Sequence, residues 1–276
     1  MTLEHLLSQL RFSPAVETAL RKKYAKDEST LRTIAETAYS GDDFQFFLCK
    51  RMPLTRLAVV TLLLLEKEQL YRQMGTSDEI ILDTFRDVSL RANLYYAKTG
   101  KAGLTKTDVI WFRHIMNGAI FKIGALQFQP FEMLYLDEAT LGEPYMTFSE
   151  ANKAAFPAGT PVLNCHIQQG ADLHPNSVSL SLQQATAFFR TRFPHTDFRA
   201  VLCYSWLLYP PMVRQLSTAS NIRQFAERFT ILGSCSDPSQ ALENLRHTNG
   251  HAPTSLQRLA AGSREQLGFS CGIIRL

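Results

Sequence analysis

Pro161-Val162-Leu163-Asn164-Cys165-His166-Ile167 opens a run that reads strand, loop, helix, strand. A loop over residues 168–179 follows it. Ser181 and Gln184 then stand at capping-box spacing, which predicts a helix beginning near Ser181. Leu182, Ala185, Phe188, Phe189 and Phe193 mark its buried face, and Pro194 ends it. Ala200 to Leu208 is almost continuously apolar, as in a strand buried on both faces. Strands alternating with helices make the C-terminal half α/β.

The same texture continues downstream. Pro210-Pro211 starts a helix, and Asn221 is placed as the N-cap of another carrying Ile222, Phe225 and Phe229. Thr230-Ile231-Leu232 reads as a strand, helices follow around Leu242 and over residues 255–261, and residues 269–274 form a last strand. Upstream, Ile120 to Ile123 and Leu126 to Gln129 alternate around Gly124 as a strand pair, with a further strand over residues 131–136. Before Gly118 the period is helical throughout. Leu3, Leu6, Leu7 and Leu10 share one helix face, and Pro14 opens a second helix after Ser13. Asp42 and Asp43 precede a helix with Phe44, Phe47 and Leu48, which Pro53 stops. Thr55 to Gln73 has few polar positions and reads as the central helix; Gly75 ends it. Thr76 with Glu79, and Thr105 with Asp108, give two further capping boxes. The expected fold class is therefore α/β (α+β): a helical domain over residues 1–118 and a mixed-sheet domain over residues 119–276.

Composition narrows the function classes. The chain has 276 residues, 45% of them hydrophobic, with only 14 Gly and 12 Pro, so a disordered or low-complexity chain is excluded. Its 29 basic and 25 acidic residues leave a net charge of +4, without the concentrated Lys and Arg of a phosphate-backbone binder. No nucleic-acid partner is expected. The longest apolar run, Leu57 to Leu65, is about half of the ~20 residues that cross a bilayer, so no membrane partner is expected either. Five cysteines form no CxxC pair and suit reduced thiols; with an N-terminus that lacks a signal-peptide pattern, the expected compartment is the cytoplasm. There is no P-loop, GxGxxG, HExxH or GxSxG. His114 reads as an amphipathic-helix histidine.

The polar residues of the quoted strand carry the chemistry. Asn164 and His166 lie two apart on an extended chain and share a face, while Leu163, Cys165 and Ile167 take the other. A polar pair on an apolar strand needs hydrogen-bond partners or a cavity. The alternatives are a pair that ties down neighbouring loops and a base at a cleft. Cys203 and Ser205 share a face of the next strand, and Tyr204 and Trp206 the other; a buried Cys is more often an inert hydrophobe than a nucleophile. Gln257 and Arg258 fall in the first turns of a late helix, where Arg has no dipole reason to sit.

Five ordered runs resemble a family of bacterial acyltransferases with a helical N-terminal domain and a C-terminal domain likened to the GNAT N-acetyltransferase fold. They are Asn164-x-His166-Ile167 with Gly170 and Leu173; Ser181-Leu182-x-x-Ala185-x-x-Phe188-Phe189 to Phe193-Pro194; Cys203-x-Ser205-Trp206-Leu207-Leu208-x-Pro210; Ser220-Asn221-Ile222-x-x-Phe225-x-x-x-Phe229; and Thr254-Ser255-Leu256-Gln257-Arg258. The resemblance implies acetyl-CoA or another acyl-CoA as co-substrate, a small-molecule or peptide amine as acceptor, and a cleft where two parallel strands splay apart. It further implies His166 as base or proton relay, with Asn164 orienting it or the pantetheine arm. The pyrophosphate is expected at Gln168, Gln169, Gly170 and the amide end of the helix beginning at Ser181, assisted by Arg258. Gln168-Gln169-Gly170-Ala171 departs from the Gln/Arg-x-x-Gly-x-Gly/Ala phosphate signature, and His174-Pro175 follows it. The alternative is therefore a non-catalytic ligand-binding or sensing protein that keeps the fold; a third class is an interaction module using the helical domain.

Overall fold

The computed structural model describes residues 2–42, 44–245, 255–262 and 264–276. Asp43 and Thr254, both used above, lie outside the described residues. The chain divides into two compact units, Met1–Lys122 and Ile123–Leu276.

The first unit contains the helices α1 (Leu3–Gln9), α2 (Pro14–Glu36), α3 (Pro53–Gln73), α4 (Asp78–Thr99) and α5 (Lys106–Met116). Its centre is α3, where every residue from Leu57 to Leu64 is buried. A helix apolar on all sides must be surrounded, and its one hydroxyl there, Thr61, satisfies itself on the Leu57 carbonyl at 2.8 Å. The expected box at α5 is present: Thr105 accepts from the Asp108 amide, and the Asp108 carboxylate accepts from the Thr105 amide. At α4 the cap is Ser77 instead of Thr76, one residue later than the spacing suggested, with the Ile80 amide as donor. Residues 47–50 form only a 3-10 turn, and Pro53 opens α3 where it was expected to stop a helix. At the first helical position its missing N–H leaves no bond unmade.

The second unit is built on a six-stranded mixed sheet in the order β1-β2-β3-β4-β6-β5, in which β1 is Phe121–Ile123. The remaining strands are β2 (Leu126–Glu132), β3 (Pro161–His166), β4 (Ala200–Ser205), β5 (Thr230–Cys235) and β6 (Phe269–Arg275). Only β3 and β4 pair in parallel; the β2–β3, β4–β6 and β5–β6 ladders are antiparallel. Its helices are α6 (Glu138–Leu141), α7 (Glu150–Ala155), α8 (Pro175–Arg192), α9 (Pro210–Gln215), α10 (Asn221–Ala226), α11 (Ser239–Leu245) and α12 (Ser255–Gly262).

Four expectations are corrected here. No separate strand forms over residues 131–136: Phe131 and Glu132 end β2, and the Met133 amide donates to the Thr160 carbonyl. β4 stops at Ser205, whose hydroxyl accepts from the Leu207 amide and closes a 3-10 turn over Trp206–Leu208. Trp206 is thus not on a strand face. Asn221 is the first residue of α10, with Ser220 as its cap. Most consequential, α8 begins at Pro175 with His174 as cap, so Ser181 lies inside the helix and not at its amino end.

Register assigns the faces. Gln129, Asn164, Leu202 and Ile273 align across β2, β3, β4 and β6. Counting by twos, this face carries Gln127 and Phe131, Val162 and His166, Ala200 and Tyr204, and Cys271. Its apolar end is covered by Met133, Tyr135, Met146, Phe148 and Phe156 from the segment between β2 and β3. The other face receives α8, whose buried positions are Val178, Ser181, Ala185 and Phe189. Among the described residues no helix is long and apolar enough to cross a membrane.

Candidate active site

β3 is paired with β2 along its whole length, from Pro161 opposite Glu132 to His166 opposite Gln127. On its other side the parallel ladder with β4 consists of Leu163 with Val201 and Asn164 with Leu202. Cys165 and His166 on one strand, and Cys203 to Ser205 on the other, lie outside that ladder. The β3–β4 pairing therefore ends at Asn164 and Leu202, before either strand does.

Toward this end the sheet face, apolar at its other end, becomes polar. Gln127 and Gln129 are buried, although both sit mid-strand; Asn164 and His166 are half-buried. The His166 Nε2 lies 3.2 Å from the Gln129 Oε1. Asn164, expected to orient His166 or the pantetheine arm, makes no side-chain hydrogen bond among the described residues. Tyr204, on the same face of β4, donates its hydroxyl to the Leu134 carbonyl. Burial raises its pKa well above that of a free phenol, so it stays protonated and acts as a donor. On the opposite face the Cys203 thiol is fully buried beside Cys165; that contact first, then burial, raises its pKa and keeps it from being a thiolate nucleophile. Ser205 is committed to the Leu207 amide.

Beyond β3 the chain makes a turn in which the Ala171 amide donates to the Gln168 carbonyl at 3.1 Å. Gly170, at φ +76°, occupies the left-handed position that such a turn assigns to glycine, and Gln168 and Gln169 form its first half. At the amino end of α8 the Asp172 carboxylate accepts from the Ser177 hydroxyl and the His174 amide, and those bonds, the Ser177 one first, lower its pKa. The His174 Nδ1 accepts from the Asn176 amide. Arg228 reaches this first turn, its Nη2 donating to the Pro175 carbonyl and the Ser179 hydroxyl, each at 2.9 Å. Ser181 is instead spent elsewhere: fully buried, it donates to the Ile123 carbonyl and accepts from the Leu126 amide. It cannot offer an anion a free helix amide. Arg258 is exposed on α12.

The profile of the GNAT-like C-terminal domain matches residues 120–266, over half of the chain. The chain belongs to this family. Residues 1–118 match the N-acyltransferase N-terminal domain. No curated protein sequence matches the chain. Among solved structures, an acyltransferase in complex with decanoyl-CoA and teicoplanin is similar at a TM-score of 0.71 and 20% identity, over 99% of this chain and 87% of that one. An acyltransferase mutant in complex with octanoyl-CoA gives the same figures. At that identity the likeness establishes a shared fold, in which this GNAT-like domain carries the short β3–β4 ladder and the buried polar row.

Gln127, Gln129 and Arg228 were not singled out by the sequence. The glutamines alternate with Leu126 and Phe128, a pattern that ordinarily marks a solvated strand face. The signal available was their spacing, two apart like Asn164 and His166, on a strand near enough in sequence to pair.

Proposed function

We propose that this GNAT-like protein is an acyl-CoA-dependent N-acyltransferase working in the cytoplasm on a small-molecule or peptide amine. The observation that carries the reading is the β3–β4 ladder ending at Asn164, next to the His166–Gln129 pair. The two similar acyltransferases hold decanoyl-CoA and octanoyl-CoA, which supports acyl-CoA, medium chains included, as the donor. The first also holds teicoplanin, which supports a peptide-bearing acceptor.

A thioester is already activated, so the chain's tasks are orientation and proton removal. The β3 backbone after Asn164 lies outside the β4 ladder and suits the amides of a pantetheine arm, with the half-buried Asn164 amide beside it. His166 accepts the proton that the amine must lose as its nitrogen bonds to the acyl carbon. The carbon–sulfur bond then breaks, and the thiolate leaves as the CoA thiol once protonated. Arg228, Gln168, Gln169 and Gly170 are the groups proposed to meet the pyrophosphate, with Arg258 as a further cation.

Asp172 favours a second reading. Its carboxylate takes donors at the amino end of α8, where a pyrophosphate would need them, so a chain that binds a different ligand without turnover fits that detail better. Free-thiol release from acyl-CoA, with a panel of primary amines, separates the two: the transferase releases CoA only when acceptor is present, and a binding protein releases none.

A further inference from the structure

We infer that Gln129 is the positioning residue for His166, holding the ring proton on Nε2. This rests on the proposed transferase function only for its kinetic consequence; the geometry stands by itself. Gln129 is directly opposite Asn164 in the β2–β3 register, not opposite His166. Its side chain nevertheless reaches diagonally to the ring, Oε1 to Nε2 at 3.2 Å. Such diagonal contacts are within range of long side chains on neighbouring strands. Asn164 is the worse candidate for this task. Two residues along one strand it stands ~6.6 Å away, its amide is short, and it makes no side-chain hydrogen bond among the described residues.

The side chain of Gln129 is committed by burial as well as by distance. It is 8% exposed, and Gln127 beside it on the same face is 1% exposed. A buried amide must be hydrogen-bonded, and an amide with its carbonyl toward an imidazole nitrogen admits one tautomer, the one carrying hydrogen there. The Gln129 carbonyl thereby favours one orientation of the ring and a hydrogen on Nε2, whatever else the ring meets. A wrongly held tautomer presents a proton where a lone pair is required, so the loss of this contact falls on the chemical step and not on donor binding.

The test uses the full chain and has two readouts. In ¹⁵N-labelled protein the ring of His166, assigned by its loss in His166→Ala, is expected as the Nε2–H tautomer, and in Gln129→Met with a reduced Nε2–H share. In thiol-release kinetics with decanoyl-CoA and the best amine of a panel, Gln129→Met is expected to lower kcat about tenfold while KM for decanoyl-CoA stays within about twofold. On a His166→Ala background the same substitution is expected to change nothing further, because one function is being removed twice. If Gln129→Met does not fold, Gln129→Asn keeps a buried amide, withdraws it by one methylene and is read the same way. An Nδ1–H ring in the wild type overturns the inference, as does a Gln129 effect that adds to the His166 loss or falls on KM alone. Failure of the transferase reading looks different: no amine supports thiol release, while the ring spectrum still reports the tautomer.

Discussion

The Ser181 hydroxyl, well inside α8, donates to the carbonyl of Ile123. It also accepts from the Leu126 amide at 3.3 Å, so one side chain closes both backbone groups flanking the turn between β1 and β2. Gly124, at φ +61°, brings that turn against the helix, and a Cβ there would stand 3.3 Å from the Ser181 Cβ. The contact fixes where α8 rests on the sheet and hence where the loop from Gln168 to His174 emerges.

Ser181→Ala leaves a buried carbonyl and a buried amide without this partner. The expected cost is about 1–3 kcal/mol of stability, seen as a lower denaturation midpoint in urea with an unchanged slope. Affinity for CoA is expected to stay within about twofold. A selective loss of CoA binding at unchanged stability would restore Ser181 to the ligand site.

Ser181 also shows why the capping-box spacing points to the wrong helix start. Hydroxyl residues cap helices and also fill helix–sheet contacts, and Ser181 with Gln184 has the spacing of the first role while serving the second. His174-Pro175 decides the matter locally, since proline at the first helical position needs no N–H. The cap at α4 slipped by one residue for a similar reason: Thr76 and Ser77 are both hydroxyls. By contrast α3 was legible throughout, because a continuous apolar run leaves a helix no way to be solvated. Asn164 and His166 were placed on one face by strand geometry alone. Their partner Gln129 is not, because alternation with Leu126 and Phe128 looks the same whether the polar face meets water or is buried. That difference depends on contacts remote in sequence. Arg228 is likewise brought to α8 only by the fold.

The amino end of α8 gives a prediction with two signs. Arg228→Ala is expected to weaken CoA binding about tenfold, the worth of one charge-assisted contact, in calorimetry at low salt. Asp172→Asn removes a negative charge from the same place and is expected to tighten CoA about two- to threefold while lowering thermal stability. Insensitivity of CoA affinity to both variants would move the pyrophosphate away from this loop.

His114 supplies a pH dependence in the first unit. Burial, and to a lesser degree the neighbouring Arg113 charge, lowers its pKa to about 4 from an ordinary value of 6.5. The unfolded chain therefore takes up this proton first. Stability associated with the neutral ring is complete above pH 6.5 and is lost progressively as the pH falls from 6.5 toward 4. With allowance for the ring's partial exposure, the loss at pH 5 is of the order of 1 kcal/mol. His114→Gln is expected to flatten the fall in Tm between pH 6.5 and 5 relative to the wild type. Parallel Tm profiles for the two proteins would contradict a half-buried His114 kept neutral by the fold.

The central claim, acyl transfer to an amine with His166 taking the proton, is tested most directly by following free-thiol release from decanoyl-CoA with a panel of primary amines and peptides, for the wild type and His166→Ala side by side. The account predicts acceptor-dependent release by the wild type and a loss of at least about tenfold in kcat for His166→Ala, with decanoyl-CoA affinity by calorimetry retained. Equal turnover by the two proteins, or decanoyl-CoA bound by the wild type and never consumed with any acceptor, would contradict it.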